Sequence, residues 1–174
     1  MTAIILAVAG LNRLGLRDRI NYIPTAGFPY AVGQGDLGIE IRSQDAKVLG
    51  LLQAIEDKPQ RWRRLAERAL LRALQGGCSS PVGVESSYLE QSEEGMDSGA
   101  SPKLHLFGAV LHPDGSSEVT ASDSAEVNDD DGAEMLGISV AEKLRAAGAG
   151  SVLDEIRSLG ITGFRKQVQQ PLEK

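Results

Sequence analysis

Residues 66–83 read AERALLRALQGGCSSPVG and run from an amphipathic helix into two glycines, a cysteine and a proline. A helix that reaches two glycines can end in a left-handed C-cap, since glycine adopts positive φ without steric cost. Pro81 prevents the helix from resuming, because proline lacks a backbone N–H and clashes with the preceding turn. The pattern therefore predicts that Cys78 stands on an open turn after the helix.

Cys78 is the only cysteine in the 174-residue chain. An intrachain disulfide is therefore impossible, and a metal site would lack its usual thiolate partners. Two interpretations of the thiol remain open. It can be a nucleophile that becomes alkylated, or it can be a small buried hydrophobe, as free cysteines commonly are.

The region 43–158 is predicted to fold as an α+β domain, with helices packed on a three-stranded antiparallel sheet. Apolar periodicity predicts helices over 44–55, 59–74, 133–147 and 151–159, and strands over 81–89, 103–111 and 116–122. Ser43 and Asp57 are the expected N-caps of the first two helices. The sequence HPDG at 112–115 predicts the turn of a hairpin.

Polar segments are expected to separate these elements. Residues 90–102 and 123–131 are rich in acidic side chains and are predicted to be solvated loops, and 159–174 is predicted to be a flexible tail. Five arginines of the 59–74 helix lie off its apolar stripe, namely Arg61, Arg63, Arg64, Arg68 and Arg72. They predict a solvated face with local pairing to Glu67. Glu67 and Arg68 are interpreted as structural supports of the helix before Cys78.

The first 42 residues contain too few elements to bury a core of their own. Residues 3–9 are continuously apolar and predict a buried strand, and 10–17 predicts a short helix. Residues 36–42 alternate apolar and other side chains, which predicts a second strand. An irregular crossing is expected over 20–30, where prolines and a glycine interrupt the pattern.

The composition is that of an ordinary globular protein, with 41% hydrophobic and 24% charged residues. A net charge of −6 argues against a general nucleic-acid binder, which would show a basic stripe. The apolar start is too short to span a bilayer and lacks a basic flank, so neither a membrane segment nor a signal peptide is expected. One cysteine fits a reducing compartment, and we expect a cytoplasmic monomer that holds no metal.

Four segments, in order and at a common spacing, resemble porphobilinogen deaminase, also called hydroxymethylbilane synthase. They are AIILAVAGLNRLGL at 3–16, YAVGQGDLGIEIR at 30–42, AERA with LQGGCSSPVG at 66–83, and LGISVAEKL at 136–144. The resemblance implies that 43–158 is the C-terminal domain to which the cofactor is attached. It also implies that 1–42 is a remnant of the two N-terminal catalytic domains and forms a partial α/β segment. This remnant would comprise the end of the second domain and the return strand of the first.

The family's reaction implies roles for particular residues of this sequence. It condenses porphobilinogen into the linear tetrapyrrole hydroxymethylbilane, on a dipyrromethane primer that is joined through a thioether to the cysteine matching Cys78. Arg13 matches an arginine that binds the carboxylates of the substrate and cofactor, as a guanidinium can with paired hydrogen bonds. Arg19 aligns with a further family arginine and is expected to bind the substrate, with a charge at a helix end as the alternative. Gln34 and Gly35 match the cleft segment and are expected to contact the cofactor or substrate. Arg17 matches no family arginine and is interpreted as a charge at a helix end.

The sequence also departs from the family pattern. The family's catalytic aspartate and most of its carboxylate-binding arginines belong to a segment ahead of position 1, so these 174 residues alone are expected to be inactive. Asp36 replaces a small residue, and a carboxylate near the cleft is costly unless it is paired. No role is expected for His105 or His112. The alternative to an enzyme is a non-catalytic α+β remnant that serves as a binding or structural module.

Overall fold

The computed structural model describes residues 4–22, 28–75, 80–89 and 103–158. Its helices are α1 (Val8–Arg13), α2 (Ala46–Gln53), α3 (Lys58–Ala73), α4 (Asp130–Ala146) and α5 (149–158), with a 3-10 turn at Arg17–Arg19. Its strands are β1 (Val82–Tyr88), β2 (Lys103–Leu111) and β3 (Glu118–Glu126), which form one antiparallel sheet in that order. The predicted α+β class and three-stranded antiparallel sheet are confirmed. Cys78, the 90–102 loop and the 159–174 tail lie outside the described residues.

The β2–β3 hairpin closes at the predicted turn. The N–H of His112 donates to the carbonyl of Ser117 at 2.8 Å, and Gly115 takes the left-handed conformation at φ 76°. His112 is buried, and its Nδ1 lies 2.5 Å from Oδ1 of Asp114. This hydrogen bond raises the pKa of the imidazole. His112 therefore has a structural part in the turn, and the expectation that it has no catalytic or binding role stays a prediction.

The acidic segment 123–131 is only partly the predicted loop. β3 continues to Glu126, because 123–126 pair with 103–106 of β2. Asp123 accepts hydrogen bonds from Oγ of Ser139 at 2.6 Å and from Nζ of Lys143 at 2.9 Å, which lower its pKa to about 2. Asp129 then caps α4 by accepting from the N–H of Gly132 at 2.7 Å. Asp123 and Asp129 thus accept hydrogen bonds from specific donors of α4.

One face of the sheet carries the core. α3 covers β1 and β2, and α4 covers β2 and β3. The two helices pack closely where α4 has a glycine, since a Cβ on Gly137 would lie 2.2 Å from the carbonyl oxygen of Ala66. The largest fully buried side chains all lie between residues 70 and 144, namely Leu70, Leu74, Val84, Leu104, Leu106, Val110, Val127, Val140 and Leu144.

The helix starts follow from side-chain caps. Asp57 accepts from the N–H of Gln60 at 3.0 Å with a proline in the first turn, as predicted. The prediction of Ser43 as the cap of α2 is wrong, because α2 begins at Ala46 and Asp45 accepts from the N–H of Val48. α2 contains no buried residue.

The arginine face of α3 is not merely solvated. Arg61 forms ion pairs with Asp130 of α4 and with Glu56, and the hydrogen bond from Arg61 lowers the pKa of Asp130. Arg72 pairs with Glu134 of α4 at 2.8 Å. Both side chains remain solvated in part, with 39% of Arg61 and 57% of Arg72 exposed, so the predicted solvated face holds for them. The predicted local pairing with Glu67 is wrong, because their partners are Glu56 and two carboxylates of α4.

The two strands predicted in the N-terminal region are not formed. Residues 4–7 are irregular and exposed, and α1 then spans Val8–Arg13, overlapping the predicted short helix. Residues 36–42 are irregular as well, with 94% of Leu37 and 62% of Ile39 exposed. A strand exists only by pairing with another backbone, and within the described residues neither segment has such a partner. Among the described helices, none has the length and apolar character needed to cross a bilayer.

Candidate functional site

The segment 28–36 lies along the outer edge of β1 and ends in a tight turn. Tyr30 pairs with Val84 of β1 through two backbone hydrogen bonds of 2.9 and 2.8 Å. The turn over 32–35 holds Gly33 at φ 73° and Gly35 at φ 88°, a conformation that side chains with a Cβ rarely adopt. Gln34 stands between these glycines and is exposed.

Two groups of this turn are open to a ligand. Within the described parts of the chain, the side-chain amide of Gln34 makes no hydrogen bond, and the N–H of Gly35 donates to no acceptor. An amide and a backbone N–H are suitable donors for a carboxylate. The turn can therefore offer hydrogen bonds to an acidic small molecule without breaking bonds of its own.

Glu67 of α3 holds the 32–35 turn in place through hydrogen bonds. Its side chain is buried, and Oε2 accepts from the N–H of Gly33 at 3.0 Å. Oε1 accepts from Oγ of Ser86 at 2.6 Å and from the hydroxyl of Tyr30 at 3.3 Å. The interpretation of Glu67 as a structural support is confirmed, whereas the side chain of Arg68 is exposed and makes no hydrogen bond among the described residues.

A second layer of contacts surrounds this carboxylate. Arg63 donates from Nε to Oγ of Ser86 at 3.0 Å and from Nη2 to its carbonyl oxygen at 2.7 Å. Gln60 donates from Nε2 to Oδ1 of Asp36 at 2.7 Å. The other oxygen of Asp36 is buried and has no partner among the described residues, so the expected cost of a carboxylate here is only partly offset.

α3 ends in a left-handed residue, but that residue is not a glycine. Leu74 is buried, and Gln75 has φ 55°. Arg145 donates to the carbonyl of Ala73, and Arg157 donates to the carbonyl of Leu74 at 3.1 Å. These arginines satisfy carbonyls that the helix end leaves free, and they fix the point from which the chain leads to Cys78.

The two predicted carboxylate-binding arginines lie on the N-terminal segment. Arg13 is in the last turn of α1, is exposed, and makes no ion pair among the described residues. Arg19 pairs with its neighbour Asp18 at 3.2 Å, and both side chains are about three-quarters exposed. Neither guanidinium forms a hydrogen bond with the 32–35 turn. The structure thus brings Gln34 and Gly35 together with α3, and it does not bring Arg13 or Arg19 to them.

The sequence reasoning missed Tyr30 and Ser86 as partners of Glu67. One signal was available, because Glu67 falls on the same helical face as Leu70 and Leu74, three and seven residues later. A glutamate on an apolar stripe must find hydrogen-bond donors inside the fold. In the described parts of the chain, no group of three or more acidic, histidine or cysteine side chains is arranged to hold a metal ion.

Comparison with known proteins yields two family matches. Residues 62–146 match a family model described as porphobilinogen deaminase, C-terminal domain. Residues 1–50 match a family model described as porphobilinogen deaminase, dipyromethane cofactor binding domain.

Individual relatives carry the same name. The porphobilinogen deaminases of Debaryomyces hansenii and Schizosaccharomyces pombe are 44% and 42% identical to this chain, over 88% and 87% of its length. That of Prochlorococcus marinus strain MIT 9312 is 47% identical over 88%. The chain spans 40–44% of the length of these curated relatives. The two family models and these relatives show that the chain belongs to the porphobilinogen deaminase family.

Proposed function

We propose that this chain is the C-terminal part of a transferase that condenses porphobilinogen into hydroxymethylbilane. Its share of the reaction is to hold a dipyrromethane cofactor on Cys78. The observation that carries this proposal is the match of both segments, 1–50 and 62–146, to porphobilinogen deaminase domains. The Gly-Gln-Gly turn, packed on the helix that precedes Cys78, supports it.

The described residues fit a dipyrromethane group in their chemistry. Dipyrromethane and porphobilinogen carry acetate and propionate side chains, so a site for them needs cations and hydrogen-bond donors. Arg13 offers an exposed guanidinium that pairs with no carboxylate in the described part of the chain, and the turn offers the amide of Gln34 and the N–H of Gly35. We assign cofactor binding to these three residues and to Cys78, and substrate binding to Arg13 and Arg19.

Cys78 would attach the cofactor by substitution at an aminomethyl pyrrole. The sulfur would form a bond to the methylene carbon as the carbon–nitrogen bond breaks, and the thiol proton would leave with the amine as ammonia. A second aminomethyl pyrrole would then bond through its methylene carbon to the free α-carbon of the first, and the displaced α-hydrogen would leave with the second amine as ammonia. The bound dipyrromethane supplies the primer for pyrrole addition. A thioether would keep this primer on the protein, where Arg13 would offer a cation to its carboxylates and the turn would offer hydrogen-bond donors.

We further propose that 1–42 belongs to the catalytic domains and that 43–158 is the cofactor-attachment domain. The core lies within residues 66–153, which supports a separate C-terminal unit. We also propose that the protein is cytoplasmic and monomeric and that it binds neither membranes nor nucleic acid. The net charge of −6 and the single cysteine support these last points.

Turnover assays test the proposed function. A polypeptide of these 174 residues alone should release no hydroxymethylbilane from porphobilinogen. Adding the N-terminal part of the Schizosaccharomyces pombe relative should restore release, and Cys78→Ser should abolish it. Release of hydroxymethylbilane by the 174 residues alone would contradict the proposal that the N-terminal part is needed for turnover. Restored release by Cys78→Ser would contradict the proposed role of the thiol.

A further inference from the structure

We propose that Glu67 is a positioning residue, which holds the 32–35 turn against α3 and so fixes Gln34 relative to the helix that leads to Cys78. The inference rests on the proposed function, because it concerns how the same site is assembled. Glu67 itself is buried and does not face the ligand.

The first argument is that burying the side chain of Glu67 costs free energy unless its carboxylate is hydrogen-bonded. Its side chain lies in the interior, and no cation among the described residues pairs with it. Its carboxylate receives three hydrogen bonds from neutral groups, the hydroxyls of Tyr30 and Ser86 and the N–H of Gly33. A buried carboxylate must find such donors, because a polar group without them is costly in the interior. The three hydrogen bonds therefore tie the position of these donors to that of Glu67.

The second argument is where those donors lie. Tyr30 and Gly33 belong to the segment that carries Gln34, and Ser86 belongs to β1. The hydroxyl of Tyr30 also accepts from the N–H of Ser86 at 2.9 Å. One carboxylate thus joins the turn, the edge strand and α3.

The third argument is the short, rigid path from Glu67 towards Cys78. Ala73 lies six positions after Glu67, a rise of about 9 Å along a helix. The carbonyls of Ala73 and Leu74 are held by Arg145 and Arg157. The end of α3 is therefore fixed, and any movement of the 32–35 turn would change the distance between Gln34 and that end. The hydrogen bond from the N–H of Gly33 to Glu67 opposes this movement.

Amide hydrogen exchange, read residue by residue by NMR on the full 174-residue chain, tests the holding role. In Glu67→Ala the N–H of Gly33 loses its charged acceptor, and its exchange should accelerate at least about tenfold. Glu67→Gln should restore most of the protection, because the amide oxygen can accept from Gly33. Arg68→Ala, a neighbouring change on the exposed face, should leave Gly33 unchanged.

A titration with porphobilinogen in the same samples tests the link to the ligand. In the wild type, the side-chain amide of Gln34 and the N–H of Gly35 should shift on addition of porphobilinogen. The shifts should be lost in Glu67→Ala and regained in Glu67→Gln. If Glu67 served only overall folding, the lost shifts in Glu67→Ala would be accompanied by faster exchange throughout β2.

The outcomes separate the two proposals. Unchanged exchange at Gly33 in Glu67→Ala, or faster exchange that extends equally through β2, overturns the positioning role. Absence of any porphobilinogen shift in the wild type, with Gly33 behaving as expected, overturns the proposed ligand contacts and leaves the holding role standing. If Glu67→Ala does not fold, Tyr30→Phe removes one donor to the same carboxylate. Faster exchange confined to 30–35 in that variant supports the proposal, and unchanged exchange overturns it.

Discussion

Gly137→Ala should destabilise the protein by forcing α3 and α4 apart. The new Cβ would lie 2.2 Å from the carbonyl oxygen of Ala66 and 2.8 Å from both Cβ of Ala69 and N of Leu70. Two of these three atoms are backbone, so no side chain can rotate away to make room. The helices must therefore separate by about 1 Å, which removes dispersion contacts along their whole interface.

The magnitude follows from two opposing effects. Overpacking a core typically costs about 1–3 kcal/mol, and the gaps opened beside it add to that cost. The gain in helix propensity from glycine to alanine returns only about 1 kcal/mol. Because the obstacle is rigid backbone, we expect an overpacking cost of about 3 kcal/mol and a net loss of about 2 kcal/mol in the free energy of unfolding. This corresponds to a fall in Tm of about 4–8 °C for a chain of this length.

Urea and thermal unfolding, followed by far-UV circular dichroism, measure this effect. Gly50→Ala in α2 is the matched control, since an added Cβ there meets nothing within 4 Å. The control should change the stability by no more than about 1 kcal/mol, in the favourable direction. A Tm for Gly137→Ala that equals or exceeds that of the wild type would refute the close packing of the two helices.

Three further predictions concern caps and titrating groups. Asp57→Ala should cost about 1 kcal/mol in urea unfolding, because the first turn of α3 loses its side-chain acceptor. Asp123 has a pKa lowered to about 2 from 3.8, so its contribution is full above pH 4 and disappears towards pH 2. The stability difference between the wild type and Asp123→Asn should narrow over that interval, and a constant difference would contradict the assignment. His112 has a pKa raised above 6.5, so its contribution is full below pH 6.5 and is lost as pH rises through the raised value. The difference between the wild type and His112→Gln in urea unfolding should shrink from pH 5 to pH 9, and growth of that difference would oppose the role of Asp114.

Local patterns predicted the elements that form the core. The apolar stripe of α3, the cap at Asp57 and the turn at 112–115 are all local signals, and the structure confirms them. The three-stranded sheet could be predicted because its three strands have apolar faces and lie close together in sequence. The family resemblance rested on short motifs and was likewise confirmed.

Features that depend on distant residues could not be predicted in this way. The alternation at Leu37 and Ile39 indicated a strand, but a strand needs a partner, and none is present among the described residues. The hydrogen bonds of Glu67 join α3 to Tyr30, which is 37 positions away in the sequence. The placement of Cys78 lies outside the described residues and stays a prediction.

The covalent state of Cys78 tests the central claim most directly. The chain should be expressed together with the N-terminal part of the Schizosaccharomyces pombe relative, supplied with porphobilinogen, and digested for mass spectrometry of the peptide that contains Cys78. The account predicts a peptide heavier by one dipyrromethane unit, which gives a pink colour with Ehrlich reagent and is absent from Cys78→Ser. An unmodified Cys78 peptide under these conditions would contradict it.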